Sequence, residues 1–257
     1  MTEPGAIDRP GGHRLAYHAT AGHATSPGIP GVIFLGGFMS DMTGTKAMAL
    51  DAHCRARGYG FLRFDYLGHG QSSGAFTDGT IGRWAADAIA AIDELTTGPQ
   101  VLVGSSMGGW IMLLAALARP QRVVGLIGLA AAPDFTEALI WQGLDDKARA
   151  ALLDDGVINM PSDYDDTPYP ITRTLIEEGR DHLLMGGPIA LDCPVRLLQG
   201  MEDRDVPWRT ALNLAERLAG DDVEVTLIKG GDHRLSEPPD LARLGRALDA
   251  LIEKIGA

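Results

Sequence analysis

Several things are scarce in this chain, and each scarcity closes a class of function. Only two cysteines, Cys54 and Cys193, occur in 257 residues, and they form no CxxC pair. That leaves no disulfide framework and no cysteine zinc site, so both are expected to be reduced and structural, with a single bridge between them the open alternative. Basic residues are few: 22 Lys and Arg stand against 34 Asp and Glu, a formal net charge of −12. An acidic surface repels nucleic acid and anionic membrane, so neither is an expected partner. No apolar run reaches the roughly 20 residues that span a bilayer, so no stable membrane insertion is expected. The first residues, MTEPGAIDRPGGHR, have neither an apolar signal core nor an arginine-rich amphipathic leader. A cytoplasmic location is expected from that.

Glycine and apolar surface are plentiful. Apolar residues make up 45% and glycines number 33. This length and composition support one large domain, or a domain with an insertion. One stretch organises it. Gln100-Val101-Leu102-Val103 is a short apolar run that ends in Gly104. Ser106 follows inside Gly104-Ser105-Ser106-Met107-Gly108, and residues 110–118 (WIMLLAALA) read as an almost wholly apolar helix. Strand, tight turn and helix are the setting in which Gly-x-Ser-x-Gly becomes a nucleophile elbow. Side chains at Gly104 and Gly108 would collide with the neighbouring strand and helix. The first helical N–H groups and the positive end of the dipole then face the reacting oxygen. The pattern alone is weak in so glycine-rich a chain. Gly70-Gln71-Ser72-Ser73-Gly74 repeats it, but polar loop residues follow instead of a helix. Ser72 therefore reads as an ordinary Gly/Ser turn.

Around the elbow, strands and helices alternate. The first dozen residues are Gly/Pro-rich and expected to be loose, and 14–20 suggests an edge strand. Residues 31–35, 61–66 and 123–129 read as buried strands, and 45–58 and 80–97 as helices. This order predicts a mostly parallel sheet with helices on both faces. Between 134 and 192 strands vanish, prolines and acidic pairs such as Asp145-Asp146 and Asp165-Asp166 appear, and the helical pieces are short. The expected organisation is a core of residues 1–133 and 193–257 with a cap inserted at 134–192. Strands at 193–199 and 223–228 and helices at 207–218 and 241–255 then complete the core. His13, His18 and His23 are close in sequence, but no carboxylate or helical spacing makes them a metal site.

A serine hydroxyl is a poor nucleophile until a base takes its proton. Histidine, with a reference pKa of about 6.5, suits that task at neutral pH. A buried carboxylate then fixes its tautomer. Behind an elbow of this kind the expected order is serine, acid, histidine, each on a loop after a strand. Ser106, Asp203 and His233 have that order and those positions. His69 precedes the serine and His182 lies in the cap, so both fail it. For the acid, Asp205 and Asp134 stay open as alternatives to Asp203. The loop Gly36-Gly37-Phe38-Met39-Ser40 follows a strand, and its glycine pair lets backbone approach a ligand closely. The N–H of Phe38 is the expected donor to an oxyanion there. This chemistry calls for no cofactor and no metal.

The pattern resembles the α/β-hydrolase superfamily. In detail it resembles one branch, the mitochondrial abhydrolase-domain palmitoyl-protein thioesterases and mycophenolic acid acyl-glucuronide esterases. The likeness is carried by Gly37-Phe38-Met39-Ser40, Gly44-Thr45-Lys46-Ala47, Arg63-Phe64-Asp65-Tyr66, Gly98-Pro99-Gln100 and the elbow through Trp110. It continues in Ala118-Arg119-Pro120, Met160-Pro161-Ser162, Pro207-Trp208 and Asp232-His233-Arg234, so it spans about residues 30–255. It implies an α/β-hydrolase fold and hydrolysis of carboxylic esters or acyl thioesters, from small molecules or acylated proteins, through an acyl-enzyme. It implies Ser106 as nucleophile, His233 as base, Asp203 as acid, and Phe38 and Met107 as oxyanion donors. The front of the chain departs from the branch, since no mitochondrial presequence is evident. Two rivals remain: another acyl-transfer or C–C hydrolase on the same triad, and a ligand-binding protein on a hydrolase fold. Some of the apolar cap residues, among them Phe135, Leu139, Ile140, Trp141, Leu152 and Met160, are expected to line a slot for an acyl chain above Ser106, the alternative being that they only pack the cap onto the core.

Overall fold

The computed structural model describes residues 3–22, 28–161 and 168–256. His23, Ser162 and the pair Asp165-Asp166 lie outside the described residues. The strands are β1 (Gly5–Asp8), β2 (Arg14–Thr20), β3 (Gly31–Leu35), β4 (Phe61–Phe64), β5 (Gln100–Ser105) and β6 (Val123–Leu129). They continue with β7 (Val157–Met160), β8 (Tyr169–Thr172), β9 (Val195–Gly200) and β10 (Val223–Ile228). The helices are α1 (Thr45–Arg57), α2 (Ile81–Leu95), α3 (Met107–Ala118), α4 (Asp146–Asp155), α5 (Arg173–Gly179), α6 (Arg209–Arg217) and α7 (Pro238–Gly256). One sheet runs in the order β1-β2-β4-β3-β5-β6-β9-β10. From β4 to β10 it is parallel, and β1 and β2 join antiparallel.

The central strands are apolar at nearly every position because helices cover both faces. Successive side chains of a strand point to opposite sides. On β5, Leu102 packs with Trp84, Trp110 and Ile111 of α2 and α3. Val101 and Val103 pack instead with Leu50 of α1 and with Leu248 and Leu251 of α7. Each such aliphatic side chain is worth about 1.5–3 kcal/mol when fully buried. Loop chemistry sets the helix ends. Thr80 accepts the N–H of Arg83 to cap α2, and Gly58 ends α1 at φ 75, where glycine is unstrained.

Two expectations need correction. Residues 14–20 are a strand but not the edge: β1, from the stretch expected to be loose, pairs outside them. The four residues of β1 carry little strand signal, and it is the open row of N–H and C=O groups on β2 that recruits them. Strands also do not vanish between 134 and 192, where β7 and β8 form an antiparallel pair from Val157↔Thr172 to Met160↔Tyr169. Four residues are too few for alternation to show in sequence. No helix of the described residues is long and apolar enough to cross a membrane.

Candidate active site

β5 delivers Ser106 to the carboxyl ends of the parallel strands. Ser106 has φ 53 and ψ −118, a conformation a side-chain-bearing residue adopts only when its surroundings impose it. Its N–H donates to the Leu129 carbonyl at 2.9 Å, and its carbonyl accepts from Gly109 and Ala132 at 2.8 and 3.1 Å. A methyl group on Gly104 would run into the Gly108 carbonyl, and one on Gly108 into the Leu35 carbonyl of β3. The tight strand-to-helix turn therefore needs both glycines.

Ser106 Oγ lies 3.0 Å from His233 Nε2, and His233 Nδ1 lies 2.8 Å from Asp203 Oδ2. His233 sits on the loop after β10 and Asp203 on the loop after β9. The His233 side chain is 15% exposed and that of Asp203 is fully covered. When Nδ1–H donates to a carboxylate, Nε2 is the acceptor and faces the serine hydroxyl. Asp203 Oδ1 accepts the N–H groups of Asp205 and Val206 at 2.9 and 2.8 Å. Its Oδ2 also accepts from Gln199 Nε2 at 2.8 Å. The ligating atoms of Asp203, Asp205 and His233 lie within 4.8 Å of one another. Four protein donors already fill the four acceptor positions of Asp203, so it has none to offer a cation. Gln199, fully buried on β9, is a partner that sequence reading missed. Its only signal was an amide at the end of an apolar run.

Of the rivals, Asp205 lies beside Asp203 and His233 and the others lie elsewhere. Asp205 is exposed, with its own N–H given to Asp203. The Asp134 carboxylate accepts from the N–H groups of Leu184 and Met185 at 2.8 and 2.9 Å, and burial raises its pKa. It ties the end of β6 to the returning chain. His69 is buried among Tyr66, Phe76 and Trp84, and burial pushes its pKa down to about 4. His182 pairs with Glu178 at 2.9 Å. Ser72 donates to the Asp65 carbonyl at 2.5 Å and accepts from Ala16 N–H, which makes it a pin in a turn. Burial raises the thiols of Cys54 and Cys193 to about 12 and 11, and both are free.

A cavity of about 680 Å³ opens over Ser106, Met107 and His233. The loop after β3 forms one rim. A Cβ placed on Gly37 would lie 3.5 Å from Ser106 Cβ, so the backbone leading to Phe38 runs against the serine. The Phe38 ring meets Phe76, Trp84, Phe135 and Tyr169 edge-on, with centroids 4.8 to 5.9 Å away. Further along the loop, Met42 donates its N–H to Asp65 at 2.6 Å and its carbonyl accepts from Arg63 at 2.8 Å. Both contacts hold the loop still. Segment 134–192 contributes Phe135, Leu139, Ile140, Met160, Tyr169 and Ile171 to the wall. Ser40, Asp41, Thr45, Lys46, Arg204 and Arg234 make a polar stretch of it. Two other apolar residues of the segment stay out of the wall. Trp141 packs under the guanidinium groups of Arg149 and Arg180, and Leu152 is buried with Ile171 and Ile176 in a centre of the segment's own.

With this geometry in view, the likeness to known proteins is specific. The model of the alpha/beta hydrolase family matches residues 32–244. The mitochondrial palmitoyl-protein thioesterase ABHD10 of Homo sapiens is 42% identical over 250 residues, which cover 97% of this chain and 80% of that protein. Among solved structures, alpha/beta hydrolase domain-containing protein 10 from mouse has a TM-score of 0.89 at 39% identity, covering 99% of this chain and 100% of that one. A putative hydrolase from Agrobacterium vitis S4 has a TM-score of 0.91 at 44% identity, covering 97% and 98%. The expected cytoplasmic location does not survive, because the curated relatives are named mitochondrial. The family match across most of the length, the sheet order and relatives above 40% identity agree: the chain belongs to the alpha/beta hydrolase family.

Proposed function

We propose that the protein hydrolyses acyl thioesters or carboxylic esters of medium to long acyl chain through an acyl-enzyme on Ser106. The observation that carries this reading is the hydrogen-bonded chain Ser106–His233–Asp203 at the floor of the cavity. His233 takes the serine proton as Oγ attacks the carbonyl and returns it to the departing thiolate or alkoxide. Asp203 holds the imidazole in the tautomer that makes this possible and stabilises the imidazolium. The N–H groups of Phe38 and Met107 receive the oxyanion, aided by the positive end of α3. Water, deprotonated by the same histidine, then releases the acid. Residues 134–192 cap the site, and their apolar wall takes the acyl chain, where each buried methylene is worth about 0.8 kcal/mol. The thioesterase names of the relatives lend weight to a thioester substrate, S-acylated protein included. An acyl glucuronide is the ester alternative.

The test is kcat/KM across C2 to C16 acyl thioesters, p-nitrophenyl esters and acyl glucuronides, with labelling of Ser106 by a fluorophosphonate probe. Labelling and a KM that falls with chain length are expected. No labelling would point to a binding protein on this fold, and a steady preference for acetyl would remove the acyl slot.

A further inference from the structure

We propose that Lys46 is a positioning residue for His233, holding the loop that carries the base from the opposite wall of the cavity. The proposal rests on His233 acting as the base. Lys46 is the second residue of α1, and its Nζ donates to the carbonyl of Arg234, the residue next to His233 and 188 positions away in the chain. The loop after β10 is tightly bent: Leu235 has φ 45, and the Asp232 carboxylate accepts the Leu235 N–H at 2.9 Å. On the β9 side, the Gly231 carbonyl accepts the N–H of Glu202 at 2.9 Å. Lys46 grips the same loop from the α1 side, so the base is held between two walls.

The amine occupies a costly place. It sits in the first turn of a helix, where the dipole disfavours a cation. Burial and the Arg234 charge bring its pKa down to about 8, against Asp232 and Asp203, which act the other way. Asp41, Arg204 and Asp205 line the same stretch of wall. A pKa lower in the folded than in the unfolded chain means that the ammonium weakens folding below pH 8. That cost is relieved as pH rises from about 8 towards the unfolded value of 10.5. Stability therefore gives no reason for a lysine here, whereas a charge-assisted grip on the His233 loop does.

The experiment measures kcat and KM on an acyl thioester from pH 6 to 10, with thermal midpoints, for Lys46→Met, Lys46→Arg and His233→Ala. Lys46→Met is expected to lower kcat about tenfold, as small misplacements of catalytic groups do. Its KM should stay within about twofold, and its midpoint at pH 7 should equal or exceed that of the parent. Lys46→Arg should recover most of kcat. It should also abolish a decline of the parent's kcat through about pH 8, because arginine stays charged. Full kcat in Lys46→Met beside a dead His233→Ala would overturn the positioning role and leave the base assignment standing. Activity in His233→Ala would bring down the base assignment itself. Joint loss of kcat and midpoint in Lys46→Met, unrescued by arginine, would make the contact structural and end the proposal.

Discussion

In the sheet, β3 and β5 are buried at almost every position and fill a core on both faces, whereas residues 134–192 have only a small buried cluster of their own, Leu152, Ile171 and Ile176, and send Phe135, Leu175, Ile189 and Leu191 into the larger core. The second region is fastened to the first partly through a few polar links. Asp134 receives the N–H groups of Leu184 and Met185, Glu178 receives that of Gly82, and the Trp110 indole donates to the His182 carbonyl. The contrast carries a lesson about division of labour. Ser106, Asp203 and His233 stand on turns and loops that leave β5, β9 and β10 of the large core. About half of the apolar wall of the cavity comes from the smaller region. A small buried centre of its own lowers the free energy of local opening, so the part of the wall from residues 134–192 is expected to be the more adaptable.

That comparison can be broken by experiment, and the largest effect belongs to the sheet. Ser106→Ala should lower kcat by on the order of 10⁵-fold or more, as loss of the nucleophile does in a triad enzyme, with little change in thermal midpoint. Ser72→Ala should keep near-normal kcat. A dead Ser72→Ala beside an active Ser106→Ala would reverse the assignment of the elbow.

The next effect separates the acids. Asp203→Asn should lower kcat by up to about four orders of magnitude through the tautomer of His233. Asp134→Asn, whose side chain only links β6 to residues 184–185, should lose less than about fivefold, a loss within the usual range for one local hydrogen bond. Comparable losses in the two variants would erase the boundary between the regions.

Substitutions in the smaller region should change preference and not chemistry. Ile140→Ser or Met160→Ser should weaken kcat/KM for long chains by roughly tenfold, about 1.4 kcal/mol of lost apolar contact, with acetyl substrates barely affected. Trp141→Ser, away from the cavity wall, should move stability more than chain preference. Equal losses on acetyl and long-chain substrates would mean that the segment supports catalysis rather than selection.

The smallest effect concerns pH. His69 is held neutral by burial, with a pKa near 4 against 6.5 when exposed. Because the folded-state value is depressed, the unfolded chain binds the proton first, and stability falls as pH drops from about 6.5 towards 4. Denaturant midpoints at pH 7 and 4.5 should differ less in His69→Leu than in the parent. Equal pH slopes would remove His69 as the source.

Much of the architecture was readable because strand–helix alternation leaves its period in the residues. The elbow was readable because a serine between glycines, ahead of an apolar helix, has few other uses. Elements stabilised by a distant partner were not readable. β1 forms against β2, and β7 against β8 across a gap in sequence, so neither carries a strong local signal. Gln199 and Lys46 were missed for the same reason: each matters through an atom it meets only after folding.

By itself the sequence determined the alternating α/β order, the turn at Ser106 and the succession Ser106, Asp203, His233. These follow from short-range sterics and from the periodicity of burial, which local composition encodes. Local sequence left Asp203, Asp205 and Asp134 open, and only in space does the Asp203 carboxylate lie 2.8 Å from His233 while that of Asp134 is occupied by Leu184 and Met185. Tertiary structure also decided which apolar residues of 134–192 face the cavity and which pack among themselves. A hydrophobic side chain carries no mark of the surface against which it will be buried.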